Sequence, residues 1–152
     1  EIGMDIVERE STASELEEIY RDFERIEQRD GVPQVPRERY SYIAEEDGEV
    51  IGFASGLTHH KWFYLSDLWV KEPYRGKGLG SRLLEMLEEK VRALSIEHIY
   101  TWTSGPRNPR FYERHGYRAF TVFENFYEIE GYHQTGFRKD LAPLKEDGHD
   151  LI

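Results

Sequence analysis

The sequence predicts an α+β fold built on a mixed, mostly antiparallel sheet. Three observations carry that reading. The pair Asp47-Gly48 sits between two apolar runs and signals an antiparallel hairpin. An apolar run over 63–70, a glycine-rich turn, an amphipathic stretch over 81–94 and a strand-like run over 99–103 follow in sequence. Such a strand–helix–strand crossover sets its second strand parallel to and beside the first. Two further strand patterns, 117–123 and 135–140, follow a brief helix and complete the sheet.

The first element is a helix. Ser14 with Glu17 has the spacing of a capping box, and Leu16, Ile19, Tyr20, Phe23 and Ile26 then recur on one face. Gly31-Val32-Pro33 and Pro36 end it in a loop. Residues 40–44 and 50–54 read as the hairpin strands, and 56–60 as a turn before the 63–70 strand. In the second helix Leu79, Leu83, Met86, Leu87, Val91 and Leu94 form the apolar stripe, with Glu88 and Arg92 as an i,i+4 pair outside it. Residues 111–115 form a short helix that Gly116 stops. The aromatic and acidic segment 124–133 has no clear periodicity. Residues 4–141 are expected to make one domain, with 142–152 a mobile tail.

The chain has 152 residues, 38% of them apolar and 14% aromatic, which is a folded composition despite 33% charge. It has no cysteine, so disulfides, thiolate metal sites and cysteine nucleophiles are excluded, and no metal is expected. No apolar run approaches the length of a membrane span, and the N-terminus lacks a basic region followed by an apolar core. A cytoplasmic protein without membrane partners is the expectation. Residues 1–50 hold 16 acidic and 6 basic side chains, whereas 51–152 hold 14 of each, so the net charge of −10 lies entirely in the first third. A nucleic-acid footprint would be basic, and none is expected. An acidic N-terminal surface attracts cationic ligands such as amines, or serves solubility alone.

The most informative stretch is Arg75-Gly76-Lys77-Gly78-Leu79-Gly80, ahead of Ser81. A glycine-rich turn from strand to helix leaves backbone N–H groups uncovered at the positive end of the helix dipole, a pocket for phosphate. Arg75 and Lys77 add charge there. The spacing is not that of a P-loop, which needs G-x-x-x-x-G-K-[ST]. It is not G-x-G-x-x-G either, because Gly76 and Gly78 are followed by Ser81.

What is present is R-x-x-G-x-G after Asp67-Leu68-Trp69-Val70-Lys71-Glu72-Pro73-Tyr74. This resembles motif A of the GNAT acyltransferases. Pro109-Arg110-Phe111-Tyr112-Glu113-Arg114-His115-Gly116-Tyr117 resembles their motif B. The element order is that of the GNAT fold as well, over about residues 4 to 141. The resemblance implies direct acetyl transfer from acetyl-CoA to an amine, on a sheet splayed where the cofactor's pantetheine arm enters. It implies that residues 75–81 hold the pyrophosphate. Leu68 and Val70 would pair with the pantetheine arm, and an N–H near Leu68 or Trp69 would polarise the thioester carbonyl. Tyr112 takes the position of the family's general acid beside the sulfur. Many members carry an asparagine seven residues before that tyrosine. Here that position is Gly105, and Asn108, four residues before, is the candidate contact to the pantetheine arm.

The attacking amine must lose a proton. Asp67, an acid inside an apolar strand, is the first candidate base, since a partly buried carboxylate accepts protons more readily. The competing reading is a solvent-facing or salt-bridged strand residue. Glu113, His59-His60 and His115 are further candidates. Trp62, Tyr64, Phe126, Tyr127 and Tyr132 form either an aromatic wall for a cationic or ring-bearing amine or ordinary packing. The leading expectation is a small-molecule N-acetyltransferase. The alternatives are a protein or peptide N-acetyltransferase and a non-catalytic acyl-CoA-binding sensor. A homodimer is compatible with the resemblance.

Overall fold

A computed structural model describes residues 3–142, and the expected tail beyond Ala142 lies outside the described residues. The chain divides into two compact units, Glu1–Val35 and Pro36–Ile152. The first holds α1 (Ala13–Arg29). Its capping box is not Ser14 with Glu17. Thr12 is the N-cap, accepting from Glu15 N at 3.1 Å while Glu15 Oε1 accepts from Thr12 N at 3.1 Å. Arg9 also grips Glu15 at 2.8 Å, which fixes the box two residues early.

The second unit carries β1 (Arg39–Glu46), β2 (Glu49–His59), β3 (Trp62–Val70), α2 (Leu79–Ala93), β4 (His98–Ser104), α3 (Asn108–Arg114), β5 (Arg118–Phe123) and β6 (Gln134–Asp140). The strands form one sheet in the order β1-β2-β3-β4-β6-β5. β3 and β4 are parallel, as the crossover requires, and every other neighbouring pair is antiparallel. Asp47 and Gly48 turn the first hairpin with φ of 50° and 79°, a two-residue loop that suits an Asp-Gly pair. Residues 56–60 are not a turn. β2 continues to His59, and the chain reverses at His60, where φ is 56°. Gly56 is in the strand because a Cβ there would sit 2.2 Å from Tyr64 O and 2.3 Å from the Phe63 ring. Its lack of a side chain serves close approach of the next strand.

α2 covers one face of the sheet. Leu83, Leu84, Leu87 and Val91 bury against Ala54, Phe63, Leu65 and Ile99. Met86, expected on this stripe, is 39% exposed, and Leu84 takes the buried place. Glu88, expected outside, is 3% exposed. It accepts from Lys139 Nζ at 2.9 Å and from the Tyr117 hydroxyl at 3.2 Å, partners a buried carboxylate requires. No helix among the described residues is long and apolar enough to cross a membrane.

At the far end of the sheet Asp140 joins three cations or donors. Arg138, at 2.9 Å, is the largest influence, followed by His98 at 2.7 Å, and together with Arg118 they hold its carboxyl down to about 2. A depressed carboxylate adds stability above its unfolded value and loses it as pH falls toward the folded one. Asp140→Asn should therefore lower the melting temperature at pH 6. That penalty should fade between about pH 4 and about pH 2, where the wild-type carboxyl also becomes neutral. Melting curves of both proteins across that window check it.

Candidate active site

The site begins with a register shift. Ser55 pairs with Asp67 and Gly56 with Leu65, which leaves Ser66 as an extra residue in β3. A bulge bends its strand and sharpens the local twist. β3 and β4 pair only from Trp62↔His98 to Leu65↔Thr101. Beyond that point they part, and a cleft of about 930 Å³ opens between residues 66–70 of β3 and 101–104 of β4. The outer edge of β3 stays paired to β2 as far as Val70. Its inner edge therefore offers unpaired backbone N–H and C=O groups to the cleft, and buried backbone groups need partners.

Thr101 closes the fork. Its Oγ1 donates to Leu65 O at 2.8 Å, at the last paired position. The bulge also reverses which side chains face which way. Leu65 is buried; after Ser66, Leu68 and Val70 are half-buried and Asp67 and Trp69 are exposed.

The glycine turn lines the same cleft. Gly76 and Gly78 have φ of 75° and 86°, the left-handed region, and a Cβ on either would meet nothing within 4 Å. Gly78 is the N-cap of α2, and no side chain caps the helix. The first bond inside the helix is Arg82 N to Gly78 O at 3.1 Å, so the N–H groups of Leu79, Gly80 and Ser81 have no intrahelical acceptor. Arg75 Nε donates to Val70 O at 2.8 Å, tying the turn to the end of β3. Tyr74, Arg107 and Arg114 also line the cleft.

From the opposite wall comes Tyr112 of α3, 7% exposed. It stacks on Phe137 at 5.6 Å and meets Phe111 and Tyr117 edge-on at 5.3 and 5.5 Å. Burial pushes its phenol up to about 12, with the neighbouring Thr101 hydroxyl acting in the other direction. It therefore holds its proton throughout the neutral range.

The structure brings together Asp67, Leu68, Trp69, Val70, Arg75, Gly76, Gly78, Leu79, Gly80, Ser81, Asn108 and Tyr112 around one cleft. Lys77 is not among the lining residues. Asn108 is, and its Nδ2 donates to Ser104 O at 3.3 Å; it is the first residue of α3, which runs Asn108–Arg114 rather than over the expected 111–115. Asp67 is exposed, so the burial that favoured it as a base is absent; its Oδ2 accepts from Ser66 Oγ at 2.7 Å. Glu113, His59, His60 and His115 do not line the cleft. The five candidate wall aromatics fall into two groups. Trp62 stacks on His98 and Tyr64 on Tyr100, whereas Phe126, Tyr127 and Tyr132 continue a ring cluster from Trp102 and Phe123. Of these rings Trp102 alone lines the cleft. Sequence reasoning missed Trp102, Ser66, Thr101, Arg107 and Arg114. Only the break of the apolar run at Ser66-Asp67 hinted at the bulge.

A splayed parallel pair, an uncapped helix N-terminus and a buried tyrosine thus meet in one cleft. A family model described as the acetyltransferase (GNAT) family matches residues 4–117, and the chain belongs to that family. It is 37% identical over 75 residues to acetyltransferase Atu2258 of Agrobacterium fabrum, covering 49% of this chain and 55% of that one. It is 37% identical over 87 residues to blasticidin-S acetyltransferase of Streptomyces morookaense, covering 55% and 62%. The matches thus span little more than half the length of these curated relatives. Among solved structures, an acetyltransferase from Bacillus cereus superposes with a TM-score of 0.77 at 27% identity, covering 90% of this chain and 98% of that one.

Thr101→Val removes the donor that satisfies Leu65 O while keeping the side chain's shape. It should cost about 1–3 kcal/mol, read as a lower urea midpoint with an unchanged slope.

Proposed function

We propose that this protein is an N-acetyltransferase that moves the acetyl group of acetyl-CoA directly onto a primary amine of a small molecule. The observation that supports this best is the meeting, in one cleft, of an unpaired strand edge, an uncapped α2 N-terminus and a buried neutral phenol. The donor's chemistry is that of a thioester, and each part of the cleft matches one of its demands. The amides of Leu79, Gly80 and Ser81, with Arg75 nearby, suit a pyrophosphate, and the open space beside Gly76 and Gly78 admits it. Lys77 contributes charge to the turn from outside the cleft lining. The free edge of β3 at Leu68 and Val70 suits the amides of the pantetheine arm as an added strand, with Asn108 on the facing wall. An N–H of this edge, at Leu68 or Trp69, meets the negative charge that grows on the carbonyl oxygen during attack.

Tyr112 serves as the proton donor to the departing thiolate. A phenol held near 12 stays neutral at pH 7, so its proton is in place when the C–S bond breaks. Asp67 and Trp69 stand exposed on β3, with Trp102 across the fork. A carboxylate beside indole faces suits an ammonium ion, and Asp67 is the group to which the amine yields its proton. A relative that acetylates blasticidin-S supports a small-molecule acceptor.

Release of CoA, followed with a thiol reagent, tests this directly, since the protein has no cysteine to give a background. A panel of polyamines, aminoglycosides, amino acids and lysine peptides should show release with free small amines. Release with peptides alone would overturn the small-molecule reading, and no release with any amine would overturn the enzyme reading. Tyr112→Phe should lower kcat about 100-fold or more while acetyl-CoA affinity stays within about twofold; equal turnover would remove its role. Gly78→Glu should abolish acetyl-CoA binding in calorimetry, because its carboxylate would face the pyrophosphate. Gly78→Ala, which has the same backbone strain without the charge, should keep measurable binding.

A further inference from the structure

A chain of polar side chains crosses three strands and ends on Asp67. Ser55, in the middle of β2, is wholly buried, in a place where an alanine or valine would pack. Buried hydroxyls are costly unless bonded. Ser55 Oγ lies 2.6 Å from Ser41 Oγ of β1 and accepts from Arg39 Nη1 at 2.8 Å. The same Arg39 nitrogen donates its second hydrogen to Ser66 Oγ at 3.0 Å. Ser66 has one hydroxyl hydrogen and two candidate acceptors, Asp67 Oδ2 at 2.7 Å and Ser55 O at 3.2 Å. The shorter contact to a charged oxygen is the stronger. Arg39 forms no direct ion pair with a carboxylate among the described residues, so its charge reaches Asp67 through the hydroxyl of the bulged residue.

Resting on the acetyltransferase reading, we infer that Arg39 is a positioning residue for the acceptor amine, acting through Ser66 to fix the Asp67 carboxylate at the cleft. Ser66 occupies Oδ2 and leaves Oδ1 for the acceptor's ammonium. The bulge has a second use here, because the extra residue puts a hydroxyl between a cation of β1 and an anion of β3. An exposed carboxylate on a strand otherwise samples several rotamers. The chain selects one, and the gain appears in acceptor binding rather than in acetyl-CoA binding.

The experiment is a double-mutant cycle on the full chain, using whichever panel amine gives the fastest CoA release. Asp67→Asn, which removes both the ammonium's partner and its proton acceptor, should lower kcat as well as raise the acceptor KM about tenfold, whereas Arg39→Met and Ser66→Ala should raise the acceptor KM about three- to tenfold each, with acetyl-CoA Kd unchanged within about twofold in all three. In the Asp67→Asn background, Arg39→Met should add less than about twofold, because its effect runs through the missing carboxylate. Arg39→Lys, which keeps one nitrogen able to donate to both serines, should restore the KM to within about threefold of wild type. An Arg39→Met effect of equal size in both backgrounds would overturn the inference, as would an Arg39→Met and Ser66→Ala pair with no effect on acceptor KM. Asp67→Asn with an unchanged acceptor KM would overturn it too, while leaving the transferase reading standing if Tyr112→Phe behaves as expected. Absence of CoA release with every amine would sink both. Should Arg39→Met not fold, Ser66→Ala in the two backgrounds carries the same test.

Discussion

One extra residue in β3 is the constraint on which the site depends. Without Ser66 between the Ser55 and Gly56 partners, β3 would run straight beside β4 and pair with it along its length. The sheet would then close its own backbone groups and leave nothing to bind. The bulge parts the strands at Leu65↔Thr101, exposes the inner edge of β3 and reverses the facing of every side chain after it. A parting sheet strands a carbonyl at the fork, and Thr101 satisfies that one with its side chain. Fork, cleft and exposed carboxylate thus share a single cause.

The wall opposite the fork is held by chemistry of another kind. Tyr112 stands on the aromatic rings of Phe137 and Tyr117, and Tyr117 is fixed in turn by Glu88 of α2. Lys139 neutralises Glu88 from β6. A buried ion pair is weak support for stability in itself, since desolvation offsets much of the attraction. Its geometric effect is clearer. Three parts remote in the chain, α2, β6 and Tyr117 just ahead of β5, meet at one carboxylate. Breaking one partner leaves a buried charge alone, so the three hold a fixed spacing.

Much of this was legible in the sequence wherever a residue type answers a purely local demand. Asp47-Gly48 announces its hairpin because two positive φ values in succession suit few other pairs. The glycines at 76 and 78 announce the turn for the same reason. Legibility failed where a residue answers a distant partner. Gly56 resembles a turn glycine, yet its reason is the Phe63 ring seven residues on. Glu88 resembles a surface helix residue because its partners lie 29 and 51 positions away. The bulge at Ser66 is a property of register between two strands, and no turn chemistry marks it. Arg39, 27 residues from Ser66, carries no local sign of its contact.

Gly80 separates the demands of the fold from those of a ligand. Gly76 and Gly78 need glycine for their backbone angles alone. Gly80 does not: it lies inside α2 without positive φ, and a Cβ there would rest 3.5 Å from Val70 and 3.8 Å from Phe111, ordinary contact distances. Helix propensity still favours alanine over glycine at such a place. The protein's own packing therefore gives no reason for the residue. A reason appears once something must lie against the first turn of α2, where a methyl group would hold it away from the free amides. At Gly80 the fold forgoes helix stability where its own packing gains nothing from the missing side chain.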